Sequence, residues 1–219
     1  MRNQTLSILI AVLFATVSVS SAAPIFYGDF VGDTVMYQNV FEDSGTDPGV
    51  ALYGAPSVFG NALIFSPPSF YAVAPNNGDF DLTDGTLGGF IMAGPNSGIE
   101  SLIFEERGDF TLLGVGGSGT AVQIAATYFV DILEVDGNVL DDPIEVFATM
   151  TFTPDNEFDL INDPGQAQFF SGSVEIDLAQ AILDAELEGL ATKVKFQLDN
   201  SLSMVDTPTS RRRILTGSQ

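Results

Sequence analysis

Carboxylates are the only abundant reactive side chains in this sequence. Asp and Glu total 29 against 7 Lys and Arg, and the chain has no His and no Cys. That composition excludes thiol nucleophiles, disulfides, zinc sites of the usual ligand set and an imidazole general base. What remains is oxygen chemistry. Alternate acids such as Asp79-x-Asp81 with nearby Asp84, and Asp155-x-Glu157-x-Asp159, can project carboxylates together from a loop, which suits the irregular oxygen shell of Ca²⁺. Neither run has the glycine and distal glutamate of an EF-hand loop. The plainer account of each cluster is a solvated, charge-repelling surface that keeps strand edges from aggregating.

Paired carboxylates could also hydrolyse a glycosidic bond, given a cleft that holds two of them beside aromatic sugar platforms. Trp is absent and Tyr numbers only 5, so Tyr53 and Tyr71 are the candidates to face a ligand. The 18 Phe are expected chiefly in the core, since no other aromatic supply exists to fill one. The glycine run Gly114 to Gly119 (GVGGSG) is followed by a β-leaning segment and by no Lys-Ser or Lys-Thr pair, so it reads as an inter-strand loop rather than a phosphate cradle.

Charge is distributed unevenly. Of the seven basic residues, Arg2 lies near the N-terminus and Arg211, Arg212 and Arg213 near the C-terminus, which leaves Arg107, Lys193 and Lys195 among all the acids. A formal net charge of −22 repels phosphate backbones, so nucleic acid is not an expected partner. Residues 1–22 show a charged start, an apolar run from Leu6 to Val17, and the small residues Ser20 and Ala22 before a cleavage point. This is the pattern of a secretory signal, with no membrane span expected in the mature chain. Residues 206–219 form a polar, abruptly basic tail that reads as disordered.

Between leader and tail, residues 23–205 read as a single domain of short apolar or alternating runs punctuated by Gly, Pro, Asn and Asp. Nine strands are expected: Ile25 to Phe30, Thr34 to Phe41, Ala62 to Phe65, Thr86 to Ala93, Ile99 to Arg107, Ala121 to Glu134, Ile144 to Thr153, Gln168 to Ile176 and Thr192 to Asp199. Ala148, Met150 and Phe152 alternate with threonines, and Val194, Phe196 and Leu198 alternate with polar residues including Lys193 and Lys195, as half-buried strands do. Asp136-Gly137 and Asp84-Gly85 suggest hairpin turns. One helix is expected over Leu178 to Glu188, capped by Asp177, stopped by Gly189 and burying Leu178, Ile182 and Leu187. The fold class that follows is all-β: a jelly-roll-like antiparallel β-sandwich with one short helix.

The leader, the acidic Gly-rich β-domain and the runs GDFVGDTVMYQNVFEDSG (Gly28 to Gly45), LYGAPSVFGNALIF (Leu52 to Phe65) and FATMTFTP (Phe147 to Pro154) together resemble the PEP-CTERM class of bacterial exosortase substrates. The resemblance implies an exported, surface-associated or exopolysaccharide-linked protein and carries over no catalytic residue. The C-terminal hallmark of that class departs here: no Pro-Glu-Pro occurs, no apolar span follows Asp199, and only Arg211 to Arg213 matches the basic end. A relative without the anchor, or a frame shifted or cut near Asp206 with a last strand lost and an edge left unpaired, would each account for this. The leading expectation is a secreted, non-enzymatic surface or extracellular-matrix sandwich, with calcium and polysaccharide as candidate ligands. A carbohydrate-active hydrolase with an Asp/Glu pair and a truncated product without activity are the alternatives.

Overall fold

Long stretches of alternating apolar and polar side chains, broken by turn residues, fold here into antiparallel strands that turn one face inward. The computed structural model describes residues 23–75, 78–114, 117 and 119–206; the expected signal segment, the basic tail and part of the GVGGSG loop lie outside them. Twelve strands and one helix occur among the described residues: β1 (Ile25–Val31), β2 (Val35–Ser44), β3 (Ser57–Phe59), β4 (Ala62–Ile64), β5 (Phe80–Ala93), β6 (Ser101–Leu112), β7 (Ala121–Val135), β8 (Asn138–Thr149), β9 (Phe152–Thr153), β10 (Glu157–Asp159), β11 (Gly165–Asp177), α1 (Leu178–Asp184) and β12 (Ala191–Val205). No helix among them is long and apolar enough to cross a membrane.

The strands form an all-β sandwich. Its large sheet runs β1-β2-β5-β12-β7, with β8 and β10 sharing the far side of β7. The smaller sheet is β6-β11-β9, and β3 with β4 makes a separate hairpin. After β8 the chain leaves the large sheet, adds β9 to β11, and returns as β10, so this corner ties the two sheets together. Ring pairs fill the space between sheets: Phe110 of β6 stacks on Phe158 of β10 at 4.0 Å, and Phe104 of β6 meets Tyr128 of β7 at 4.3 Å. Each such side chain withdrawn from water contributes about 1.5–3 kcal/mol.

The smaller sheet does not cover the whole inner face. Over β5 the cover is a loop, whose Leu52 and Tyr53 are buried and whose Phe65 and Phe70 pack on the Tyr53 ring at 6.2 and 5.1 Å. Here Gly85 has a specific role, because a Cβ would meet Leu52 at 2.7 Å and Tyr53 at 3.2 Å. The Asp84-Gly85 pair is therefore a mid-strand close approach in β5 and not a hairpin turn. Asp136 and Gly137 do turn the β7–β8 hairpin, with φ of 48° and 77°, the left-handed pair that a two-residue hairpin loop requires.

Most of the expected strands are present, several longer than their apolar signal, while β3 and β10 are three-residue strands that carry too little pattern to read. The helix starts as expected, with the Asp177 carboxylate accepting from the Gln180 N–H at 2.8 Å, and buries Leu178 and Ile182. It ends earlier than expected. Glu186 takes a left-handed φ of 60° and Leu187 is left exposed, while Gly189 serves a close approach in which a Cβ would strike the Asp136 carboxylate at 2.3 Å. The final strand, β12, lies in the middle of the large sheet, paired along its length with β5 on one side and β7 on the other. The outer edges are β1, irregular around Gly28, and β8, guarded by Asp141, Asp142 and Pro143.

Candidate functional site

The acids singled out by spacing do not converge. Asp81 and Asp84 are three apart on β5 and so project from opposite faces; Asp81 accepts from the Val73 N–H at 2.7 Å. Burial and, after it, the charge of Asp199 push the Asp84 carboxyl above its usual range. Asp79 precedes the strand, and its carbonyl accepts from the Asp206 N–H at 2.9 Å. Asp155 closes a turn on the Asn156 N–H, and Glu157 is exposed on β10. The Asp159 carboxylate is held by its own turn, accepting from the Ile161 and Asn162 N–H groups and from the Asn162 side chain at 2.6 Å; the Asn162 bonds chiefly lower its pKa. Among the described residues no three acids gather in one place that could hold a metal ion.

The two tyrosines part company. Tyr53, expected to face a ligand, is 5% exposed, and its hydroxyl donates to the Gly85 carbonyl at 2.8 Å. Tyr71 is 61% exposed, on the loop beside β5. The expectation that Phe is chiefly core also needs correction, since Phe26, Phe59, Phe80, Phe129, Phe147 and Phe169 are all exposed.

Four exposed or half-exposed rings lie on one line. Strand register places Phe147 opposite Phe129, Phe129 opposite Gln197, Gln197 opposite Gly88, Gly88 opposite Phe41, and Phe41 opposite Phe26. Directly opposed residues share a face, so this is one transverse row over the outer face of the large sheet, from β8 to β1. Gly88 belongs to the row because the Phe41 ring lies over it; a Cβ there would meet that ring at 2.8 Å. Phe41 and Phe26 rings sit 5.9 Å apart.

At the β8 end of the row the surface dips into a hollow of about 690 Å³ whose lining includes Phe129, Phe147, Gln197, Asp131, Glu145, Lys195 and Asp199. The polar residues come from the neighbouring rows, since Asp131 opposes Glu145 on one side and Lys195 on the other. Lys195 donates to Asp131 at 3.0 Å. Asp199 accepts from the Thr86 hydroxyl at 2.8 Å and from the Gln197 amide at 3.3 Å, both on Oδ1. Apolar rings bordered by oriented amide, hydroxyl and carboxylate groups are chemically matched to a ligand with apolar faces and polar rims.

A second group of acids was not legible in the sequence. Glu106 on β6 points between the sheets, where the Tyr128 hydroxyl and the Asn200 amide, at 2.9 Å, donate to its Oε1. Burial raises its pKa against the partial relief of those two bonds. Glu42 of β2 is 1% exposed and accepts from the Tyr53 and Gly54 N–H groups at 2.8 and 3.1 Å. Burial and the nearby Glu42 push the Tyr27 phenol up to about 12. These carboxylates surround Tyr53 inside the sandwich, and neither lines the outer hollow. The signal that could have found Glu106 is its even position in β6, in step with Phe104, Phe110 and Leu112.

The molecule is thus an antiparallel β-sandwich with an aromatic row across its exposed sheet face. No family model, curated protein or solved structure matches the chain.

Proposed function

We propose that this chain is an exported, non-enzymatic surface or extracellular-matrix protein that holds polysaccharide on the outer face of its large sheet. The observation that carries the reading is the transverse row Phe147–Phe129–Gln197–Gly88–Phe41–Phe26, with polar groups in the rows beside it. Sugar rings have apolar faces that pack on aromatic rings and hydroxyl rims that bond to amides and carboxylates. The leader-like residues 1–22, the acidic composition and the PEP-CTERM resemblance agree with an address outside the cell.

The test is retention of the protein in native gels cast with neutral polysaccharides, alongside an assay for newly released reducing ends. Retardation that is lost in Phe129→Ala/Phe147→Ala, with no reducing ends released, is the expected result. Release of reducing ends would replace the reading with that of a hydrolase, and migration unaffected by every polysaccharide would remove it.

A further inference from the structure

We infer that the outer face takes an uncharged polysaccharide laid across the strands, and that Asp131, Glu145 and Asp199 set this preference by turning away carboxylated or sulfated chains. The inference rests on the polysaccharide-binding reading and adds to it the ligand's charge and path.

The path follows from register. The row crosses β8, β7, β12, β5, β2 and β1 at one level, and five strand spacings amount to about 24 Å, the length of a short oligosaccharide. A chain running along the strands would instead meet Asp131, Phe129 and Thr127 in turn on β7, and so find a ring only once.

The ligand's charge follows from what surrounds the rings. The hollow holds three carboxylates and one cation, Lys195, which is already bonded to Asp131 at 3.0 Å. An anionic chain seated on Phe129 and Phe147 would lie against Glu145 and Asp199 with no free cation among the described residues of the hollow to answer it, and like charges so placed disfavour binding. A neutral chain meets no such penalty, and its hydroxyls can donate to Asp199, whose hydrogen bonds with described residues both engage Oδ1. A second copy of this chain fits poorly, since a two-fold contact would set the same carboxylates against themselves.

The experiment compares matched polymers on the full chain: hydroxyethylcellulose against carboxymethylcellulose, and pullulan against carboxymethyl-pullulan, each over a salt series. The wild type should bind a neutral member at least about tenfold more tightly than its carboxymethylated partner. Added salt should narrow that gap by screening the anionic chain's repulsion while leaving neutral binding nearly level. In Asp131→Asn/Glu145→Gln/Asp199→Asn the ratio of the two affinities should fall toward unity. The salt series on the wild type decides the matter even if that variant fails to fold. Equal binding of both members, or preference for the carboxymethylated one, overturns the inference and leaves polysaccharide binding standing. Binding of neither polymer, with Phe129-dependent dimers in sedimentation, makes a second copy the occupant and removes both readings.

Discussion

Tyr128 and Phe129 are neighbours on β7, yet they belong to two different worlds. Tyr128 is wholly buried, ring against Phe104, its hydroxyl on Glu106; Phe129 is 42% exposed on the floor of an acidic hollow. The same contrast runs across the sheet. One level of the inner face reads Ala148, Tyr128, Leu198, Leu87 and Glu42, and the matching outer level reads Phe147, Phe129, Gln197, Gly88 and Phe41. The inner row has an acid where the outer row has a ring. Along these two rows the acid, Glu42, is sealed inside as structure, while the phenylalanines Phe147 and Phe129 face the solvent.

The sharpest way to break this contrast is to truncate both neighbours. Tyr128→Ala should destabilise the fold by about 3–5 kcal/mol, the range for losing a buried aromatic, and also strips Glu106 of a donor. Phe129→Ala should change stability by less than about 1 kcal/mol. Denaturant titration of the two variants measures both, and equal effects would erase the distinction between the faces.

A smaller effect concerns pH. Because the folded-state pKa of Glu106 is raised by burial, its contribution to stability is fully present below its unfolded pKa and is lost as pH rises through the folded value. The groups facing it are Tyr128, Asn200 and Tyr53, none of them a cation. Glu106→Gln, which cannot ionise, should therefore show a shallower fall in melting temperature from about pH 4 upward than the wild type. Parallel curves for the two proteins would mean that Glu106 does not titrate across that range.

The smallest effect belongs to the outer face. Lys195→Gln removes a half-exposed ion pair with Asp131, and stability should shift by no more than about 1 kcal/mol, and less in high salt. Chemical denaturation at two salt concentrations is sufficient to check it.

How much of this was legible in the sequence depends on periodicity. Long alternating runs disclosed the sandwich, and the alternation at Lys193 to Asp199 assigns two of the three internal cations to an outer face. The transverse row was hidden because it is a property of register among six strands that lie far apart in sequence. Spacing along the chain brought the eye to Asp79, Asp81 and Asp84, where the pleat sends two of the three to opposite faces. Tyr53 misled because a polar-tipped ring in a Gly- and Pro-rich loop looks exposed, whereas the loop itself forms part of the core's cover. Glu106 and Glu42 were overlooked for the opposite reason: among 29 acids, the one mark of Glu106 is its step with Phe104 and Phe110, which an acid-by-acid reading passes over.

The position of β12 has a consequence for how the protein is made. A polypeptide emerges from its N-terminus, and here the strand that joins β5 to β7 follows every other described strand in the chain. Until residues 191–205 arrive, the two halves of the large sheet have no common neighbour, and Leu87, Tyr128 and their inner rows lack the side chains of Val194, Phe196 and Leu198. The core around Leu87 and Tyr128 can therefore close only after residues 191–205 have been made, however early the other strands of the large sheet are complete.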